Sequence, residues 1–225
     1  MCGRYALYSN KELIEKVFKA PFRYDAYTPS YNIPPGTFNP IVLLGKAREP
    51  GIGSLKWGLV PSFAKDEKIG FSMINARSET ITEKPSFQKS FQRRRCLIPV
   101  NGFYEWKKIE GTDTKIPFFI RLMEDELFGF AGIFDSWQQE DGESLFTYSI
   151  ITTTANDLLQ PIHERMPVIL DAHQYDDWLD PLNDDTESLV EMLKPYPTDK
   201  MRAYRVKPAV GKTTNNSPDL ITPVV

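Results

Sequence analysis

Residues 127–137 read LFGFAGIFDSW, an aromatic and β-branched run flanked by EDE and QQEDGE. A run of this kind, bounded by turn-forming residues, has the pattern of a strand. Three neighbours repeat it: CLIPVNGFYEW at 96–106, IPFFIRL at 116–122 and LFTYSIITT at 145–153. EGTDT (110–114) and QEDGE (139–143) supply the glycine and polar residues of hairpin connections between them. The middle of the chain therefore reads as the β-rich core of the fold.

Working outward, PIVLL (40–44) and IGSLKWGLV (52–60) read as further strands, and Met1–Tyr8 alternates loosely enough for a first one. Ser9 and Glu12 have capping-box spacing before KELIEKVFK (11–19), which predicts a short amphipathic helix. From Pro21 to Pro40 the chain is rich in proline, tyrosine and asparagine, with YNIPPGT at 31–37. Proline restricts itself and the residue before it, so regular helix is not expected there. SETITEKPSFQKSFQRRR (78–95) is expected to be partly helical, with Pro85 at a boundary or first turn. AHQYDDWL (172–179) and DTESLVEMLK (185–194) read as short helices and MRAYRV (201–206) as a strand. No repeat, low-complexity tract or long linker divides the chain. The expected fold class is α+β: a single domain over residues 1–225, with a twisted, barrel-like, mostly antiparallel sheet and peripheral short helices.

Hydrophobic residues make up 41% of the 225 positions and charged residues 25%, enough apolar content for a sizeable core. The net charge of -3 argues against a uniformly basic surface for duplex DNA but leaves room for a local basic groove. Cys2 and Cys96 cannot form a disulfide framework, and the N-terminus lacks a signal-peptide pattern, so a cytoplasmic protein is expected. No apolar run approaches the ~18 residues of a membrane span. Two histidines and two scattered cysteines offer no recognisable metal spacing, and no glycine-rich loop could cradle a nucleotide phosphate. Neither a metal nor a cofactor is expected.

Four stretches carry chemistry: MCGR (1–4), INARSET (74–80), FYEWKK (103–108) and PIHERMP (161–167). Cys2 sits directly behind Met1. Removal of Met1 would leave it with a free α-amine and a thiol on adjacent carbons. Taken singly the other signals are weak. Glu105 reads as a surface or strand-edge residue, His163 as structural, Asn75 as a turn cap and Arg77 as a surface charge. Arg93, Arg94 and Arg95 form the one run of three basic residues, to be weighed between a DNA contact and a solvated helix end. Cys96 reads as a buried small residue and His173 as solvent-exposed.

Taken together, MCGRY, YNIPPGT, WGLVPSF (57–63), INARSET, CLIPVNGFYEW, IHERMPVIL (162–170) and VGKTTNNSPDLI (210–221) resemble, in order and over nearly the whole chain, the SRAP family, the SOS response-associated peptidases. The resemblance implies a sensor and shield of abasic sites in single-stranded DNA. It implies loss of Met1 and condensation of Cys2 with the ring-opened sugar aldehyde to a thiazolidine. Cys2, Asn75, Glu105 and His163 are the matching catalytic positions, and Arg4, Arg77 and Arg165 would line the DNA groove. Trp57 and Phe63 are candidates for a base-facing wedge, with Thr152 and GKTTNN (211–216) as further phosphate contacts. A lyase-type activity and autoproteolytic removal of Met1 also belong to this reading.

The residue chemistry is consistent with it. An α-amine of pKa ~7.7 is roughly 15% neutral at pH 7, whereas a thiol of pKa ~8.5 is only about 3% thiolate. The amine can attack the aldehyde first and the thiol can then close the ring. Opening the sugar hemiacetal needs a proton, which suits His163. Glu105, between Tyr104 and Trp106, is placed for a raised pKa and for moving protons at the amine and imine. Asn75 can donate and accept, and so orient the terminus. Two other classes of function compete: a thiol autopeptidase or protease using Cys2, and a non-covalent binder of single-stranded or modified DNA.

Overall fold

The computed structural model describes residues 2–45, 47–124 and 126–224. Its centre is a closed ring of five strands: β3 (Phe38–Leu44), β4 (Pro50–Trp57), β6 (Arg95–Val100), β9 (Phe128–Gln138) and β10 (Ser144–Thr154). Antiparallel pairing runs β4–β3–β6–β9–β10, and a parallel pairing of β10 with β4 at Thr147↔Lys56 and Tyr148↔Trp57 closes the barrel. The expected barrel-like sheet is thus present, with its seam parallel. Three of its strands, β6, β9 and β10, come from the aromatic runs of the middle sequence, and β3 and β4 come from PIVLL and IGSLKW. The predicted turns fall in place, with Gly111 (φ 75) and Gly142 (φ 89) taking the left-handed conformation.

A second sheet, in the order β13–β8–β7–β1–β2, lies over one side of this barrel. Its strands are β1 (Tyr5–Leu7), β2 (Ser30–Ile33), β7 (Gly102–Lys108), β8 (Lys115–Leu122) and β13 (Met201–Arg205). Alternation separates its two faces. Tyr5, Leu7, Phe103 and Ile120 join the main core, whereas Ala6, Tyr104 and Phe119 pack outward under Val206, Val210 and Leu220 of the C-terminal segment. Three short strands complete the architecture: β5 (Asn75–Arg77), β11 (Arg165–Pro167) and β12 (Ile169–Leu170).

Helices are short and peripheral. α1 (Lys11–Phe18) buries Ile14 and Phe18 and ends at Lys19 in the left-handed conformation. Its N-cap is Asn10, whose side chain accepts from the Leu13 N–H, rather than Ser9. The Ser9 hydroxyl is instead occupied by the Asn101 Nδ2 donor at 2.7 Å. α2 (Pro85–Arg93) starts with proline in its first turn, where a missing N–H is harmless, and buries Phe87 and Phe91. α3 (Tyr175–Leu179) and α4 (Thr186–Glu191) fall within the two predicted C-terminal helical stretches. No helix among the described residues is long and apolar enough to cross a membrane.

The three consecutive arginines do not act as one basic patch. Arg93 donates to the Pro181 carbonyl, Arg94 pairs with the buried Asp135, and Arg95 is itself buried. Arg95 donates to the carbonyls of Phe91, Gln92, Trp178, Asp180 and Asn183, tying α2 to the loop after α3. Both readings weighed for this run give way to a structural one.

Candidate active site

β10 organises the site. Beyond its pairing with β4 it pairs in parallel with β5, at Ile150↔Asn75 and Thr152↔Arg77. Across its other edge it pairs with β11, at Thr152↔Pro167 and Thr154↔Arg165. INARSET and HERMP, about 90 residues apart in sequence, therefore lie on either side of one strand. Cys2 and Glu105 arrive from the other sheet, where the Tyr104 N–H donates to the Arg4 carbonyl at 2.9 Å.

Asn75 joins the two halves. Its Nδ2 donates to the Cys2 carbonyl at 2.9 Å, while its Oδ1 is buried with no partner among the described residues. An orphaned acceptor beside Cys2 is a ready partner for an N–H of a shortened terminus. Cys2 itself is buried, and the absence of solvent, followed by the Glu105 charge, pushes its thiol well above the ordinary range. Glu105 is 3% exposed, and burial raises its carboxyl to about 7. His163 is half-buried, and burial lowers its pKa. Its Nδ1 accepts from the Arg165 N–H at 3.0 Å, which leaves the ring proton of neutral imidazole on Nε2. Glu105 and His163 both line a cavity of about 540 Å³, together with Trp106, Lys108, Lys115 and Gly211. Met1, whose removal the resemblance implies, lies outside the described residues.

This pattern runs through the whole chain. The SRAP model, "SOS response associated peptidase", matches residues 1–213. The chain belongs to the SRAP family. It is 45% identical over 223 residues to the abasic site processing protein YoqW of Bacillus subtilis (strain 168), covering 98% of this chain and 99% of that protein. It is 34% identical over 235 residues to the abasic site processing protein HMCES of Rattus norvegicus, covering 88% of this chain and 66% of that protein. A solved protein from Bacteroides thetaiotaomicron superposes with a TM-score of 0.91 at 28% identity, over the full length of both chains. Within this SRAP fold no group of three or more described histidine, cysteine or acidic residues is arranged to hold a metal.

The residues expected on a DNA face of the SRAP domain divide sharply. Arg77 is exposed, and Phe63 is 65% exposed on a loop fixed by the Ser62 N–H to Asp135 Oδ2 (3.0 Å) and Trp137 Nε1 to the Ala64 carbonyl (2.8 Å). Trp57 is a correction. It is 1% exposed, donates from Nε1 to the Ile74 carbonyl and stacks on Tyr148, so its ring is core and not wedge. Gly58 (φ 120) then turns the chain outward, and a Cβ there would stand 2.7 Å from the Gly70 carbonyl oxygen. That close approach sets Phe63 and the 3-10 helix 67–72 on neighbouring loops. The 3-10 helix carries Phe71, 68% exposed and missed in the sequence. Thr152 is also a correction, being fully buried with its hydroxyl on the Ala76 carbonyl.

Two of the three arginines are held internally. Arg4 donates to Asn32 Oδ1 (2.6 Å) and the Val210 carbonyl (3.0 Å) and lies over the Trp106 ring. Asn32 also donates to the carbonyls of Lys212 and Asn215, so GKTTNN is bound to the second sheet. Arg165 is buried in a bidentate pair with Glu79 (2.6 and 2.9 Å) and donates to the Thr152 carbonyl at 2.7 Å. Its placement is structural, and Glu79 is the partner that the sequence reading overlooked.

Arg77 and Arg165 should therefore separate in experiment. Arg165→Ala is expected to lower stability by about 1–3 kcal/mol, because it strands buried acceptors. Arg77→Ala should leave the thermal midpoint unchanged and, as loss of one phosphate contact, flatten the salt dependence of DNA binding by about 0.7 in the log–log slope. Thermal melts and a salt titration check both. Equal melts for the two variants would contradict the structural role of Arg165.

Proposed function

We propose that the chain captures abasic sites in single-stranded DNA covalently, through Cys2 as an N-terminal residue. The observation that carries this is the Asn75 clamp. One amide holds the Cys2 carbonyl and leaves a buried acceptor free beside it, next to a carboxyl poised near neutrality. The names of the relatives point the same way.

The sequence of steps follows from the groups present. The sugar hemiacetal opens to its aldehyde when a proton reaches the ring oxygen, and His163, which lines the cavity, is the donor. The neutral Cys2 amine adds to the aldehyde carbon and water leaves, giving an imine. The Cys2 sulfur then adds to the imine carbon, its proton passes to nitrogen, and the ring closes as a thiazolidine. Glu105, with a pKa near 7, takes and returns protons at the amine and the imine. The buried thiol stays un-ionised until the imine is in place, which suits a trap better than a peptidase nucleophile. Phe63 and Phe71 offer stacking faces to unpaired bases, and Arg77 a phosphate contact.

Intact mass of the purified protein, followed by a denaturing gel with abasic and intact oligonucleotides, tests the proposal. The expected result is a protein lacking Met1 that forms a heat-stable adduct with the abasic strand alone. Crosslinking by protein that retains Met1 would overturn it.

A further inference from the structure

The cavity at Glu105 and His163 does not end at the reactive groups. β7 outruns its neighbour β1: their ladder stops at Tyr5↔Phe103 and Ala6↔Gly102, while β7 continues against β8 to Lys108↔Lys115. The cavity follows this free edge. Glu105 shares the inner face with Phe103, whereas Trp106 packs against the outer cluster, and alternation places Lys108 with it. Lys108 and Lys115 line the same space as Glu105 and His163.

These two lysines stand directly opposite each other across the ladder. Facing like charges destabilise a hairpin. Among the described residues, neither makes an ion pair with a carboxylate. Glu110 and Asp113, in the turn of the same hairpin, form no ion pair with them. Of the three arginines near the site, Arg4 is committed to Asn32 and Val210 and Arg165 to Glu79, while the exposed Arg77 does not line this cavity. An anionic strand reacting at Glu105 and His163 thus meets Lys108 and Lys115 as the cations lining the cavity.

We propose that Lys108 and Lys115 together clamp a backbone phosphate flanking the abasic nucleotide. The sugar enters on the inner face of β7 and the phosphate is held on the outer face, so the strand folds over the free edge of β7. Gly211, with open space on its side-chain side, lines the same cavity. This inference rests on the proposed reaction with DNA, and it adds where the strand runs.

The test compares Lys108→Gln/Lys115→Gln with Lys107→Gln, a neighbouring exposed lysine outside the cavity. Single-strand affinity is measured against salt with an intact oligonucleotide, and adduct formation with an abasic one at limiting DNA. Loss of that one phosphate contact should flatten the slope by about 0.7 and slow adduct formation roughly tenfold, whereas Lys107→Gln should leave both close to the parent values. The double variant should melt no lower than the parent, because a repulsion has been removed. An identical slope for the two proteins, or a lower melting temperature for the double variant, would overturn the clamp. Failure of the parent to form any adduct would sink the proposed reaction instead, while the slopes on intact strand would still decide the clamp. Inorganic phosphate as competitor should weaken strand binding by the parent and not by the double variant. Equal competition in both would place the anion site elsewhere.

Discussion

Cys2→Ala should lose the heat-stable adduct almost completely, by more than about a thousandfold, while still binding single-stranded DNA. The alanine variant keeps the α-amine once Met1 is removed, so it can still form an imine with the open aldehyde. It lacks the thiol that closes the ring. Groups held on adjacent carbons react with effective molarities on the order of 10⁵ M or more, which no added thiol at millimolar concentration can replace. The imine should therefore be hydrolysed on heating, be captured by borohydride reduction, and drain partly into strand cleavage by β-elimination. Two controls keep the result clear. Cys2 is fully buried, so a melt must show that the smaller side chain leaves the fold intact. Restoring the thiol on another residue should not rescue the adduct, because the ring needs amine and sulfur on one residue. A heat-stable product from Cys2→Ala at wild-type yield would show that a different residue traps the aldehyde.

The strands were legible because aromatic and β-branched runs carry their own signal, with QEDGE marking a turn of the barrel and EGTDT a turn of the second sheet. The closure of the barrel was not. The seam joins β10 in parallel to β4 and β5, and a three-residue strand such as β5 has no local pattern to read. Trp57 and Phe63 show the same limit within one motif. Six residues apart, one is the inward-facing end of β4 and the other stands exposed beyond Pro61. Only register and the turn at Gly58 distinguish them. Charged side chains were hardest of all. Arg93, Arg94 and Arg95 look alike in sequence, yet each has a different partner supplied by a distant element. For the reactive centre, the positions came from the family resemblance. What the fold adds is the orphaned acceptor of Asn75, the tautomer of His163 and the burial of Glu105.

That burial makes opposite demands on activity and stability, and Glu105→Gln should expose both. Burial raises the Glu105 carboxyl from 4.5 to about 7, so near neutral pH the group is present in both protonation states and can exchange protons in either direction. Glutamine keeps the shape and cannot titrate. Adduct formation should slow by about 10²–10⁴-fold, and the inflection near pH 7 in the wild-type rate profile should disappear, leaving the amine titration alone. Stability should change the other way. A carboxyl whose pKa is raised on folding binds its proton more tightly in the native state than in the unfolded chain. Its contribution is complete below the unfolded pKa and is lost as pH rises through about 7. Wild-type protein should therefore lose stability between pH 4.5 and 7 relative to Glu105→Gln. By pH 8 the variant should be the more stable by up to about 3 kcal/mol, at about 1.4 kcal/mol per pKa unit. A glutamate kept for packing or for a buried ion pair would behave in reverse, with the glutamine variant melting lower at pH 8. Rates and thermal melts from pH 4 to 9 on both proteins decide the matter. An unchanged rate profile, or a variant less stable than wild type at pH 8, would remove Glu105 from the proton-transfer role.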